Sequence, residues 1–512
     1  MRIIFLSARN TDRSSFQVGA LSLLNVLSGV TIFLTGILSA GYFGIGRELD
    51  FYYAGLTIPA LFVSLVGFDY FGTNFFPIYS RVRRENGEKE ANLLANSIIS
   101  TVSLLLLFLV ILLYTFAYFF HKLVFSGFDD AMLHGTIVMF RIICPSVILQ
   151  IPAVFIGYIL QYEKKVVFSQ ASSFINAGTT LIIFLAFKEM LGIRSLAIGT
   201  LAGSIFGLIF LLSLAKGYRF RPRINFRDKN YRKLISASLV MSGSGIIGRL
   251  TNLVERYFSS FFPGGSISNL GLANKLATTP AALVTRPLAT VMYAKMAAAE
   301  STGDDRSSAA IWQKYLLFAF AVMIPISFLA VYLREDIIGF LFQRKNFTPA
   351  MAIQVSLSFA GYAGLLLFGG TGDMINKLYY LKNKVKIPAI LNFGGPVIYT
   401  VLLYTCIKTW GFLGIPIATS INFTLSGILL LLLGRNVIPG IKILSLFNKI
   451  GFIVISFLVG IFVAIYIGQL FNLVPGIIRI LLTAIVSISL YVIINLSLNR
   501  RFANEILSTL KR

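Results

Sequence analysis

The sequence predicts an all-α polytopic membrane protein of fourteen transmembrane helices, arranged as two six-helix bundles plus a C-terminal helix pair. Three observations carry this. Hydrophobic residues make up 56% of the 512-residue chain and charged residues 13%, about half the charged share of a soluble domain. The apolar residues come in runs longer than the ~20 needed to cross a bilayer core; from Arg13 to Arg47 no Asp, Glu, Lys or Arg interrupts the chain. The runs are continuously apolar rather than alternating, which selects helices over barrel strands. A soluble enzyme, a secreted disulfide scaffold and a disordered tail are excluded.

Each span is bounded by charges or by Gly, Pro or Asn turns. Arg2, Arg9 and Arg13 resemble a signal-peptide basic region, but the apolar stretch behind them is too long and lacks a cleavage site, so it reads as a retained first span over 17–44. Span 2 covers 51–79, opening at Asp50 and holding Pro59 and Asp69; span 3 covers 92–120. His121 and His134 fall in the loop that follows and read as solvated histidines rather than metal ligands. Span 4 (136–160) carries Arg141, Cys144, Pro145 and Pro152, and spans 5 and 6 cover 167–187 and 195–215. After the basic loop come span 7 (235–261), with Arg249, Glu255 and Arg256, and span 8 (268–296), with Lys275, Pro280, Arg286 and Pro287. Spans 9 to 12 follow at 311–333, 349–374, 386–407 and 411–434, with Pro325 in span 9, Asp373 in span 10 and Cys406 in span 11. Spans 13 and 14 cover 449–470 and 476–497. Both cysteines sit in apolar runs, so no disulfide framework is expected.

Orientation follows from the loops. With the N-terminus cytoplasmic, cytoplasmic segments hold 31 of the 45 Lys and Arg residues and the opposite side holds 9, the positive-inside asymmetry that places both termini in the cytoplasm. The same split disposes of the +25 net charge as a nucleic-acid signal. The densest cluster, eight basic residues from Lys216 to Lys233 against Asp228, is expected to rest on anionic lipid headgroups. The basic, mildly amphipathic stretch Asn499 to Arg512 is expected on the same surface.

That loop also divides the chain. Residues 1–215 form a first six-helix bundle, 216–234 a basic linker, 235–434 a second bundle, and 435–512 the final pair and tail. Two sets of six spans share one orientation, as in parallel transporter repeats. A faint echo agrees: Phe43-Gly44-Ile45-Gly46 before Pro59, and Phe262-Pro263-Gly264-Gly265 before Pro280.

Charges inside spans are the informative residues, since each costs about 2.5–3.5 kcal/mol at mid-bilayer on insertion scales. Five are cations: Arg141, Arg249, Arg256, Lys275 and Arg286. Arg249 and Arg256 lie seven residues apart and share one helix face; Lys275 and Arg286, eleven apart, come close to three turns, with Pro280 between them. Such paired basic stripes suit the wall of a cationic cavity. Asp50, Asp69, Glu255 and Asp373 are the acids available as charge partners or gating residues. The excess of cations points to an anionic, phosphate-bearing passenger. No phosphate-binding Gly-Lys-Ser/Thr loop, no Ser/His/Asp or Cys/His set and no intramembrane histidine site is present, so the chain is read as moving a substrate rather than transforming it, without cofactor or metal.

Three local patterns resemble the MviN/MurJ family, within the superfamily that also holds Wzx-type polysaccharide flippases and multidrug exporters. Val254-Glu255-Arg256, Gly265-Ser266-Ile267-Ser268, and Leu272-Ala273-Asn274-Lys275-Leu276 before Pro280 are similar to the family's acidic–Arg pair, Gly-Ser-x-Ser turn and Tyr-Ala-Asp-Arg-Leu segment. Pro222-Arg223-Ile224-Asn225-Phe226-Arg227-Asp228 resembles its loop before span 7, and Phe43-Gly44, Asp50, Pro59 and Pro77 its first hairpin. Asn346-Phe347-Thr348 and Lys386-Ile387-Pro388 extend the likeness over most of the chain.

The resemblance implies two bundles around a central cationic cavity, a tail groove formed by the last two helices, and flipping of lipid II by alternating access across the bacterial inner membrane. Lipid II is the undecaprenyl-pyrophosphate-linked peptidoglycan precursor. Asp50, Arg141, Arg256 and Lys275 match polar positions of the family pattern. The chain departs from it at Thr31 and Thr35, and at Val63 and Ser64, where members carry arginines, and at Phe68-Asp69, where they carry Glu-Gly. A Wzx-like flippase for exopolysaccharide or O-antigen units is the alternative, and a cation-coupled multidrug exporter the distant one. A monomer is expected, with a lipid-linked oligosaccharide pyrophosphate as its partner.

Overall fold

Backbone N–H and C=O groups inside a bilayer find no water, so an apolar chain that crosses it closes its hydrogen bonds within each segment. The structure, a computed structural model, follows that rule. It describes residues 10–65, 68–215, 217–382, 384–437, 443–470 and 476–498, and among them there is no strand. Nine helical stretches among the described residues are long and apolar enough to cross a membrane, or ten if Pro349–Gly361 and Ala363–Leu381, bent by 44°, count as one span. One of the nine, Lys386–Leu433, takes in predicted spans 11 and 12, turning at Gly411–Leu413. Predicted spans 7 and 8, and the described residues of span 2 before Asn74, are helical but outside that set. They are the spans on which Asp69, Arg249, Glu255, Arg256, Lys275 and Arg286 fall.

Several boundaries differ from the sequence expectation for identifiable reasons. The expected loop between spans 2 and 3 is helical, part of Phe68–Thr115, and breaks only at Gly87 (φ 85°, ψ 176°). Its Arg, Glu and Lys residues are good helix formers, and glycine supplies the positive φ. Span 4 is two helices, Asp130–Ile143 and Pro145–Tyr162, because Pro145 lacks the N–H that would continue the ladder. The expected loop of histidines is also largely helical. His134 is exposed on Asp130–Ile143, but His121, on Ala117–Val124, is fully buried, 4.8 Å edge-on from the Phe140 ring. The solvated reading therefore fails for His121. Its Nδ1 lies 2.7 Å from the Ala117 carbonyl oxygen and burial holds its pKa down, to about 4.

The residues gather into two compact units, Met1–Ser268 and Asn269–Arg512. In the first, Phe75, Tyr79, Ile98, Ile151, Phe155 and Tyr231 belong to one core cluster, and Phe125, Leu133, Phe140 and Ile267 to another. Helix Lys229–Ser259 packs here, against Arg47–Leu65 and Phe68–Thr115, so the division falls after span 7. In the second unit Trp312, Phe320, Met374, Tyr379 and Phe457 share a core. Its last helices, Ile443–Leu470 and Gly476–Leu498, pack on each other and on their own unit: Tyr491 Oη donates to the Ala321 carbonyl at 3.2 Å, and Asn495 Nδ2 to Ser456 Oγ at 3.0 Å.

The faint repeat in the sequence is plain in local structure. Gly192 (φ 55°, ψ −139°) and Gly411 (φ 57°, ψ −133°) end equivalent helices. Asp129 caps Asp130–Ile143 by accepting from Met132 N–H, and Thr348 caps Pro349–Gly361 by accepting from Met351 N–H. The second halves of those bent spans end at Tyr162 and Leu381. Positions 192 and 411, 129 and 348, 132 and 351, and 162 and 381 all stand 219 residues apart. So do Phe43 and Phe262, which open the two echoing turns.

Candidate functional site

At one end of the first unit three turns close on each other. The run Gly264-Gly265-Ser266-Ile267-Ser268 leads into helix Ser266–Pro280, and Gly265 adopts φ +99°, a conformation side chains avoid. Asp50, in the first turn of Arg47–Leu65 and 1% exposed, accepts the Gly265 N–H on Oδ2 and the Ser268 N–H on Oδ1, both at 2.6 Å. A carboxylate there meets the positive end of the helix dipole and two donors that lack intrahelical partners. Arg47 Nη2 donates to Asp129 Oδ2 at 2.9 Å, and the Gly127 N–H donates to Ser260 Oγ at 3.0 Å. A Cβ on Gly127 would stand 2.6 Å from the Ser260–Phe261 backbone, so only glycine permits that approach. The expected topology puts this clasp on the side opposite the basic loops.

The in-span cations lie in both units. In the first, Arg256 is half-buried in the last turn of Lys229–Ser259, and its Nη1 donates to the Ile267 carbonyl at 3.4 Å, joining the clasp. Glu255 beside it is buried, with its main-chain carbonyl accepting from Ser259 Oγ at 2.5 Å. Arg141 is exposed, and its guanidinium sits 5.4 Å over the Tyr114 ring, so a ring face rather than a carboxylate meets that charge. The side chains of Asp69 and Arg249 lie outside the described residues. Where the family pattern has arginines in span 1, the Thr31 and Thr35 hydroxyls instead donate to the carbonyls of Leu27 and Thr31, each at 2.8 Å.

In the second unit Lys275 is half-buried on Ser266–Pro280, and the Thr278 and Thr279 hydroxyls both donate to its carbonyl, at 3.2 and 2.7 Å. A π-helical turn, Ala281–Thr285, follows Pro280 and separates it from Arg286, which is exposed. That wide turn shifts the register downstream, so the eleven-residue spacing no longer measures three α-helical turns. The turn packs on Gly370, where a Cβ would collide with the Thr285 side chain. Asp373 is exposed and pairs with Lys377 on its own helix at 3.5 Å.

Sequence reasoning missed two latches at the basic loops. In the first unit Arg83 reaches Glu88 at 3.1 Å, Glu163 at 3.9 Å and Tyr79 Oη at 2.9 Å, and lies 5.0 Å over the Tyr162 ring. In the second, Lys382 Nζ bonds Glu300 and Asp305, each at 2.5 Å. Glu163 and Lys382 are again 219 positions apart, so the repeat keeps the latch and reverses its polarity. The signal was available in that offset. Among the described residues no cluster of three or more His, Cys, Asp or Glu could hold a metal, and Cys144 and Cys406 are buried, free thiols.

Comparisons with known proteins speak to the family and the fold. The family model described as lipid II flippase MurJ matches residues 39–487. A probable lipid II flippase MurJ of Thermotoga maritima is 24% identical over 79% of this chain and 82% of its own. The lipid II flippase MurJ of Burkholderia cenocepacia is 20% identical over 83% of each. Among solved structures, a lipid II flippase MurJ in an inward closed conformation superposes with a TM-score of 0.79 at 22% identity, covering 94% of this chain and 99% of that one. An inward-facing multidrug-resistance MATE transporter superposes with a TM-score of 0.64 at 14% identity, covering 84% of this chain and 96% of that one, a likeness of fold alone. With a family model matched across most of its length, the chain belongs to the lipid II flippase MurJ family.

Proposed function

We propose that the protein translocates lipid II across the bacterial inner membrane by alternating access, as a monomer with both termini cytoplasmic. The observation that carries this is the family match over residues 39–487. The in-span charges support it: cations exceed acids on helices otherwise built for lipid, and a pyrophosphate headgroup would stabilise a wet cationic cavity. Arg256 and Lys275 are its leading contacts, with Arg141, Arg249 and Arg286 adding positive charge. Six spans, a basic linker, six spans and a helix pair remain the proposed layout. Asp50 acts as a gating residue, its clasp closing the side away from the basic loops while the headgroup enters from the cytoplasm. No covalent chemistry is required.

The Wzx-like and multidrug-exporter readings are not favoured by the family match, and an exporter of cationic solutes calls for acids where this chain concentrates cations. The test is complementation. Cells depleted of their own lipid II flippase should grow when this chain is expressed, and failure to grow despite normal membrane abundance would refute lipid II as the cargo.

A further inference from the structure

The linker between helices Arg194–Leu214 and Lys229–Ser259 is irregular, with a turn at Phe226–Arg227, and its sequence alternates. Arg219, Arg221 and Arg223 interleave with Phe220, Pro222, Ile224 and Phe226. Basic and apolar side chains thus stand next to each other along the whole segment. All three arginines are exposed, as is Arg227, and none of the four forms an ion pair among the described residues. The one acid of the segment, Asp228, is committed elsewhere: its Oδ1 accepts the N–H groups of Asn230 and Tyr231 at the start of the next helix. The apolar side chains are also exposed, Phe220, Ile224 and Phe226 by 46%, 40% and 66%, with Phe226 meeting the Tyr231 ring edge-on at 5.8 Å.

Three ties fix where this segment runs. Tyr218 Oη donates to Asn96 Oδ1, Asn96 Nδ2 donates to the Arg219 carbonyl at 3.3 Å, and the Arg223 N–H donates to Ser100 Oγ at 3.1 Å. Asn96 and Ser100 belong to a spanning stretch that ends at Thr115. The apolar run read as span 3, 92–120, is longer than the about twenty helical residues that a ~30 Å hydrocarbon core takes, so a core centred in it begins near Asn96. The linker is therefore strapped to the helix at the boundary between headgroups and acyl chains. Exposed rings beside unpaired guanidinium groups at that depth are what a phospholipid surface complements: acyl chains for the rings, phosphates for the arginines.

We propose that residues 218–227 are an interfacial strap that selects anionic phospholipids from the leaflet on the basic-loop side. The proposal rests on the membrane fold and not on the identity of the flipped cargo, so transport assays and the following test fail independently.

The full chain carrying Phe226→Trp is reconstituted in nanodiscs of phosphatidylcholine with a minor fraction of dibrominated phosphatidylglycerol or dibrominated phosphatidylcholine. Quenching is read as the difference from the parent chain. Each arginine near an anionic surface contributes about a five-fold preference, so phosphatidylglycerol is expected to quench with a relative binding constant of at least about five. Arg219→Gln, Arg221→Gln and Arg223→Gln together should bring the ratio toward one, while the triple lysine variant keeps it. High salt on the parent chain should lower it in the same way, which serves if the glutamine variant does not fold. A parent ratio near one, or one indifferent to both the glutamine variant and salt, would overturn the proposal. Quenching by neither lipid would also overturn it, leaving the strap in water for a soluble acidic partner.

Discussion

Removing the Asp50 carboxylate should unfasten the clasp, and the size of the effect can be worked from its geometry. The side chain is 1% exposed and accepts two main-chain N–H groups at 2.6 Å. Asp50→Ala leaves both donors buried without a partner, at about 1–3 kcal/mol each, and removes a negative charge from a helix N-terminus, about 0.5–2 kcal/mol more. Asp50→Asn keeps one acceptor and turns its NH₂ toward the other donor, so roughly half of the loss is expected. Hydrogen exchange reads this directly, because the two amides are the reporters. In the purified full chain, a peptide covering residues 262–270 should exchange at least about thirty-fold faster in Asp50→Ala, which corresponds to ~2 kcal/mol. Asp50→Asn should fall between the variant and the parent. Equal exchange in parent and Asp50→Ala would show that the carboxylate does not hold the turn, and the gating role would go with it.

Three further outcomes follow from other sites. Gly127→Ala drives a Cβ into the Ser260–Phe261 backbone, which cannot yield as a side chain would; it should lower the melting temperature by the equivalent of ~1–3 kcal/mol, and an unchanged melt would deny the close approach. Arg83→Glu gathers acids around Glu88 and Glu163, and adding Glu163→Arg should recover part of the lost thermal stability; a double-mutant cycle without a coupling of about 1 kcal/mol would reduce the latch to a bystander. His121 lies on the short helix Ala117–Val124 beyond span 3, and its pKa falls from 6.5 in the unfolded chain to about 4 in the buried site. The unfolded chain binds a proton between those values that the folded chain refuses, so stability is full above about pH 6.5 and drops by up to ~3 kcal/mol as the pH falls toward 4. His121→Phe should flatten melting temperature over that window, and an undiminished slope would place the acid sensitivity elsewhere.

The fold was legible because lipid imposes one rule on every span: a long apolar run closes its own hydrogen bonds or does not enter. That rule located spans 1, 5, 6 and 9 from composition alone. It is less informative where charge and helix coexist, as along Phe68–Thr115, whose charged middle reads as a loop because hydropathy is blind to helix propensity. In-span cations stood out for the converse reason, since an Arg in an apolar run is costly wherever it points. Their partners did not. Asp50 meets main-chain N–H groups, Arg141 a tyrosine ring and Asp373 a lysine one turn away, and none of these leaves a compositional trace. His121 shows the limit at a single residue: a polar type in a short connection suggests solvent, yet the helix Ala117–Val124 turns it against Phe140. The Arg83 and Lys382 latches were hidden by their polarity reversal, which erases residue identity and leaves only the 219-residue spacing.

The central claim is that cations on the polar spans carry a pyrophosphate-bearing lipid through the membrane. Lipid II translocation in proteoliposomes tests it most directly, comparing the parent chain with Arg256→Gln and Lys275→Gln variants of matched abundance and fold. The parent should move lipid II well above protein-free vesicles, and each variant should lose at least about ten-fold in rate, the effect of ~1.4 kcal/mol. A parent chain that leaves lipid II where it started, or variants that move it at the parent's rate, would contradict the account.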